Sequence, residues 1–338
     1  MNSQRRTIRP LRAFYAATPF WVQDQISISG QTIPEDLSDL MAECMYSHST
    51  DDYKLSVCRD GMFIIEVSSL ENDLKKSSSS PQFSELEGRY LEYINCVILL
   101  LESALQKVSG DNWIFSEEIN KKNVIHVFFE DNHFKIMSHP SYGTAELFTG
   151  SRILKTISPY DGSESWLKGR EVLGQDVFNE LFQDADIVFK SDENVKLLAR
   201  LMKSLSEYRM ADKEISLLIS WFVLESFINQ KWDIWLEEQN KESLEGSKRI
   251  NSKRREELTK GRDYTASVIS NFLELANVLS FDEFKHLTVL RKVRNSIVHK
   301  KKEDCTYEHC RDALKLATKW VNAELAITLL LDLSHPIY

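Results

Sequence analysis

The residue types best suited to chemistry lie in one late stretch, Lys285-His-Leu-Thr-Val-Leu-Arg-Lys-Val-Arg-Asn-Ser-Ile-Val-His-Lys-Lys-Lys302. It holds seven lysines and arginines and no carboxylate, in a chain whose formal net charge is -9. Within it, Arg294, Asn295 and His299 set a guanidinium, an amide and an imidazole on one predicted helix. Asn295 and His299 are four residues apart and share a face. Arg294 stands roughly 140° round the axis from His299 and reaches a common ligand only through its long stem. A cationic fork, a ring that titrates near neutrality and a surrounding positive field together suit a phosphodiester. In that chemistry His299 is a general base or acid. Arg294 binds the phosphate and offsets the charge that grows on its oxygens, and Asn295 orients the ring or donates to a non-bridging oxygen. The plain alternatives are a histidine interacting with the last carbonyls of its helix, an arginine in a salt bridge and an amide facing solvent.

The elements that must hold these groups are predicted helices. Leu287, Leu290, Val293, Ile297 and Val298 recur at helical spacing, a stripe fit to face a core. An earlier apolar helix, Ser216-Leu-Leu-Ile-Ser-Trp-Phe-Val-Leu-Glu-Ser-Phe-Ile228, is interrupted by Glu225. A carboxylate there is expected to be buried and therefore paired, with Arg291 or Arg294 as the natural partner. It reads as an orienter of the arginine, a structural ion pair or an acid-base participant. Trp221, Phe222, Trp232 and Trp235 repeat at helical spacing, as core or interface residues do. Arg291, Lys292, Lys300, Lys301 and Lys302, with Lys253, Arg254, Arg255, Lys260 and Arg262, are candidates for contacts to an RNA backbone. A solvated surface is the alternative for each. Cys305, His309 and Cys310 fit no common zinc spacing and have no evident fourth ligand. Glycine-rich phosphate loops, Gly-x-Ser-x-Gly, His-Glu-x-x-His and deaminase spacings are missing, and no cofactor is implied.

The Arg294-to-His299 spacing resembles the R-x4-6-H signature of the HEPN superfamily, in particular of the larger Apea-like HEPN domains. In those domains a tryptophan- and leucine-rich helix bearing Leu-Glu, here Leu224-Glu225, precedes the Arg-Asn-x-x-x-His helix. The resemblance covers about residues 192 to 333. It implies an all-helical bundle and a metal-independent endoribonuclease of prokaryotic toxin and anti-phage (abortive infection) systems. The RNA 2'-hydroxyl attacks its own phosphate, leaving a 2',3'-cyclic phosphate and a 5'-hydroxyl. Because one chain supplies one His299, the likeness implies a two-fold homodimer with a composite cleft. The RNA would be a transfer or messenger RNA. The other reading is a non-catalytic HEPN module that binds nucleotides or RNA, or docks a partner. A purely structural adaptor is a third.

Length and composition fit two domains of a soluble, cytoplasmic globular protein. Residues 1–188 read as a mixed α+β domain with a sensing or regulatory role, and residues 189–338 as an all-α, HEPN-like bundle. By analogy alone, a phage-derived trigger would act at the first domain. No apolar run approaches a membrane span, and the basic N-terminus has no signal-peptide core. Five cysteines at irregular spacing fit a reducing compartment. Hairpins are expected at 53–68, around Asp60-Gly61, and at 124–137, around Asp131-Asn132. A loop is expected at 75–82, a long buried helix at 83–107, and shorter helices at 34–45 and 163–182. Strands are possible at 147–148 and 153–157. The second domain should contain helices at 193–209, 213–238, 264–279, 282–299 and 307–333, with a charged loop at 240–261. Asp212, Asp263 and Asp282 are placed to favour helix starts.

Overall fold

The computed structural model describes residues 10–24, 37–76, 80–110, 114, 116–130, 133–138, 170–241, 248–260, 264–299 and 305–334. The chain forms two compact units, Met1–Met202 with Ile327–Asp332, and Lys203–Ala326 with Leu333–Tyr338. The first is rich in strands and the second is helical. Among the described residues no helix is long and apolar enough to cross a membrane.

The first unit is built on a six-stranded antiparallel sheet. Its strands are β1 (Leu11–Tyr15), β3 (Cys44–Ser49), β4 (Tyr53–Cys58), β5 (Met62–Val67), β6 (Ile125–Glu130) and β7 (His133–Ser138), in the order β3-β4-β5-β1-β6-β7. A bridge between Glu43 and His133 draws the two edges together, so the sheet curls into a half-barrel. Ala13, Tyr15, Cys58, Met62, Ile64, Ile125, Val127 and Phe134 form one buried cluster, while Phe14 and Phe63 stack 5.5 Å apart. The hairpin forms around Asp60-Gly61, with a three-residue connection, Arg59 to Gly61, closed by Gly61 N donating to Cys58 O at 3.0 Å. Gly61 has φ +82°, and a Cβ there would meet the Phe20 ring at 3.1 Å. Asp60 fixes the turn by accepting from Tyr15 Oη at 2.6 Å and from Met62 N at 3.1 Å. A parallel pair, β2 (Trp21–Val22) and β8 (Val172–Leu173), stands apart from this sheet.

Helices α1 (Leu37–Met41), α2 (Ser68–Lys76), α3 (Ser80–Ser109), α4 (Gln175–Val188) and the first part of α5 (Asp192–Arg209) complete the unit. Arg12, buried on β1, bonds Glu71 of α2 at 3.0 Å and Glu87 of α3 at 2.7 Å, and lies 4.4 Å from the Tyr90 ring. Lys107 of α3 holds Asp184 of α4 at 2.6 Å.

The division falls after Met202, within α5, later than the change of composition near 188. The reason is visible at α3. Its Tyr93 donates to Asp192 at 3.0 Å and its Cys96 to Val195 O at 3.1 Å, so the start of α5 belongs with the sheet. The segment 327–332 returns to the same helix. Ser103 Oγ donates to Thr328 O at 3.2 Å and accepts from Leu330 N at 3.0 Å, and Glu102 accepts from Asp332 N at 3.4 Å.

The second unit gathers α8 (Ala266–Leu275), α9 (Phe281–Val298) and α10 (Tyr307–Leu325) around α6 (Lys213–Lys241), with α7 (Ser252–Lys260) clipped to α6. Leu217, Trp221, Val223, Leu224, Phe227, Ile228, Trp232 and Leu236 of α6 are buried, as a central helix requires. Asp212 caps α6 by accepting from Ile215 N at 3.1 Å. Helices α6 and α10 run parallel. Lys213 lies over the Tyr307 ring at one end, and Gln230 bonds Glu324 at 2.6 Å further along. Helix α9 runs the opposite way, with Glu283 in its first turn accepting from Trp320 Nε1 at 3.0 Å.

Several expectations are corrected. Among the described residues of the helix predicted over 34–45, Leu37–Met41 is helical and Cys44 onward pairs as β3. Among the described residues of 163–182, the helix starts at Gln175, after β8. The expected loop 75–82 contains the end of α2 and the start of α3, where Pro81 sits in the first turn and loses no intrahelical bond. The charged loop 240–261 contains α7. Residues 147–148, 153–157, 131–132 and Asp263 lie outside the described residues.

Candidate functional site

Helix α9 starts on a capping box: Ser280 Oγ accepts from Glu283 N at 3.3 Å, and Glu283 accepts from Ser280 N at 3.0 Å. Its buried line runs Leu287, Leu290, Val293, Ser296 in steps of three. Those steps drift round the axis, so the line passes to Ser296 and leaves Ile297 half-buried and Val298 exposed, contrary to the stripe expected from sequence.

Another flank of α9 carries Arg291, Asn295 and His299 in steps of four, the spacing of a continuous ridge. Arg291 and Asn295 are half-buried; His299 and the nearby Lys292 are exposed. His299 closes the helix, its backbone N–H donating to Asn295 O at 3.0 Å. Its ring makes no hydrogen bond with any described residue, so the imidazole is not spent on capping. Arg294 Nη1 donates to Asn295 Oδ1 at 3.0 Å, which carries the guanidinium round the helix toward this ridge. Arg294 Nε is buried without a hydrogen-bond partner. One helix end thus presents an open imidazole, an amide and two guanidinium side chains.

Other predicted residues are placed elsewhere. Glu225 is half-buried, and no ion pair joins it to Arg291 or Arg294. Trp221 shares a shallow notch with Arg291, Thr288 and Phe284. Because α9 is antiparallel to α6, the next turn of α6, which holds Glu225, leads away from Arg294. Arg255 bonds Asp233 at 3.1 Å and pairs with Glu237, which clips α7 to α6 and engages the guanidinium. Lys253 and Arg254 are exposed on α7. They sit beside Asp233 to Asn240, about 30 Å along α6 from the Lys213 end where α9 finishes, at 1.5 Å per residue. Lys260, Arg262 and Lys300 to Lys302 lie outside the described residues or have undescribed side chains.

No family model, curated protein or solved structure matches this chain.

Of the aromatic residues, Trp221 and Trp232 are buried, whereas Phe222 is 51% exposed. Trp235 is half-buried and stacks on Trp232 with ring centroids 5.0 Å apart. The His309 ring serves the start of α10, accepting from Thr306 N at 3.3 Å, and is turned to that cap instead of joining the thiols of Cys305 and Cys310. No motif marked Lys213, yet its ammonium, 5.2 Å from the Tyr307 ring centroid, adds positive charge at the end of the bundle where α9 finishes.

Proposed function

We propose that the second unit is a HEPN-type, metal-independent endoribonuclease. The carrying observation is the ridge Arg291–Asn295–His299 with the Arg294 guanidinium drawn to Asn295 and the imidazole open to solvent. A phosphodiester laid along it meets a cation at its non-bridging oxygens and an imidazole at the 2'-hydroxyl or the 5'-oxygen. Cleavage needs both a base and an acid, and one chain offers one such imidazole. A second copy related by a two-fold axis supplies the other. Val298, 49% exposed beside His299, and Ile215 and Phe222, seven residues apart on one face of α6 and 39% and 51% exposed, are apolar groups such a pairing would cover. The RNA would be a transfer or messenger RNA, the setting anti-phage defence, and the first unit the place where a phage-derived trigger acts.

The test is product chemistry. Purified full-length protein in excess chelator should cut RNA to 2',3'-cyclic phosphate and 5'-hydroxyl ends, and leave DNA intact because DNA lacks the attacking hydroxyl. His299→Ala should abolish the cut without changing the oligomer. Equal cleavage by the alanine variant would sink this reading. The separation of Glu225 from the arginines favours a second reading, a HEPN module that binds RNA or a partner without cutting. RNA affinity that depends on Arg294, with no cleavage by the wild-type dimer, would establish it.

A further inference from the structure

Cys305 and Cys310 bracket the start of α10. Thr306 is the N-cap, its hydroxyl accepting from His309 N at 3.3 Å. Cys305 is therefore the residue before the cap and Cys310 the fourth of the helix. Those are the two positions where an apolar pair commonly packs and fixes the angle at which a chain enters a helix. Here the pair is two buried thiols with sulfurs 3.7 Å apart. Both also face one acceptor, the Lys213 carbonyl oxygen, 3.5 Å from Cys305 Sγ and 3.1 Å from Cys310 Sγ.

We propose that Cys305 and Cys310 form a reversible oxidation site, converted to a disulfide by a hydroperoxide. A disulfide needs sulfurs about 2.0 Å apart and side-chain torsions free to reach it. The two sulfurs are already in contact, and the remaining approach is roughly 1.7 Å, within the reach of side-chain rotation. In the first step the Cys305 thiolate attacks the outer peroxide oxygen. An S–O bond forms, the O–O bond breaks, and the alkoxide leaves and takes a proton. Cys310, as thiolate, then attacks the sulfenic sulfur; the S–S bond forms and water leaves. Two thiols and one hydroperoxide become one disulfide, one alcohol and one water.

The order of attack follows from the surroundings. The hydrogen bond with Cys310 holds the Cys305 thiol below its ordinary value, against the effect of burial, and the Lys213 ammonium acts in the same direction. The same bond, with burial, pushes Cys310 up. Burial pushes the other three cysteines up. Cys44 faces Cys58 across the β3–β4 ladder, but its thiol donates to Tyr46 O, and Cys96 donates to Val195 O. The thiolate is the reactive form, so oxidation should select the α10 pair. The closed ring is short and adds little loop-closure stabilisation, which leaves the bond open to reduction by dithiols. The chemistry stands independently of the nuclease reading. Its location matters to that reading, since Cys305 lies six residues beyond His299 in the connection from α9 to α10.

Reduced full-length protein is treated with one equivalent of hydrogen peroxide, denatured with N-ethylmaleimide and digested with trypsin. The peptide Glu303–Arg311 holds both cysteines. It should appear two hydrogens lighter and unalkylated, at least tenfold more than any oxidation at Cys44, Cys58 or Cys96, and dithiothreitol should reverse it. In Cys310→Ser, Cys305 should stop at a sulfenic acid that dimedone captures. Recovery of both cysteines as alkylated thiols, even at hundredfold peroxide, would overturn the proposal. So would sulfinic acid at Cys305 without the link in wild-type protein, a measurement that needs no variant to fold.

Discussion

Arg294 donates from Nη1 to the side-chain oxygen of Asn295, its neighbour in sequence, at 3.0 Å. Adjacent side chains leave a helix about 100° apart, so the arginine stem must fold round the axis to make this bond. The bond brings Nη1 to Asn295, on the side of α9 that carries His299, while Nε stays buried. Under the cleavage reading, Arg294→Ala should slow single-turnover cleavage about 10²–10³-fold, the cost of losing one charge-stabilising donor. Arg294→Lys should recover little, because one ammonium cannot hold Asn295 and a phosphate in a fork. Wild-type rates in the lysine variant would remove the guanidinium from the reaction.

Glu225 makes no ion pair with either arginine and is only half-buried. Replacing it with glutamine should change unfolding free energy by about 0.5 kcal/mol or less, the range of surface positions without special contacts. Cleavage should persist. A tenfold or larger fall in rate with unchanged stability would instead give this carboxylate a part in proton transfer.

Partial burial pushes the Glu283 carboxyl up, but hydrogen bonds from Trp320, Lys319 and Ser280 outweigh it and hold the group at about 2. A folded value below the unfolded one means the carboxylate contributes stability above about pH 4.5. That contribution is lost as pH falls from there toward 2. Denaturant titrations across this window should show wild-type protein losing stability more steeply than Glu283→Gln. At pH 7 the variant should be about 1–2 kcal/mol less stable, from weakened charged hydrogen bonds. Parallel pH profiles would contradict this.

Arg12 sits between Glu71 and Glu87, all three buried. Arg12→Met leaves two carboxylates without their cation, and removing one member of a buried ion pair typically costs about 3–5 kcal/mol. The first unit should melt early. Adding Glu71→Gln and Glu87→Gln should restore part of the loss, a coupling readable in a multiple-mutant cycle.

Lys253 and Arg254 are exposed on α7, whereas Arg255 is paired to α6. If α7 touches the RNA backbone, Lys253→Ala and Arg254→Ala should each lower affinity evenly across sequences and flatten its salt dependence. Arg255→Ala should mainly loosen α7, read as faster amide exchange over Ser252–Lys260. Unchanged salt slopes in the first two variants would take α7 out of the interface.

Local signals were the legible ones. Asp60-Gly61 announces its hairpin because Gly61 supplies the left-handed φ the turn needs, and α3, α5 and α6 follow from their apolar periods. Strand β1 was hidden. Leu11 to Tyr15 adjoins the basic N-terminal stretch, and only pairing with β5 and β6, remote in sequence, makes it central. The apolar run after Leu325 reads as more helix. Yet Ala326 turns left-handed at φ +53°, and the next residues find partners on α3. At the candidate site, spacing placed Asn295 and His299 on one side. It could not foresee the course of the Arg294 stem or the isolation of Glu225, which depend on the neighbours each side chain meets.

The return of Ile327–Asp332 to α3 places residues 203–326, the bulk of the second unit, between two parts of the first. During synthesis a ribosome must release all of residues 203–326 before those six residues emerge. The sheet-bearing unit therefore finishes only after most of the helical one has been made, a departure from the usual N-terminal-first sequence of assembly.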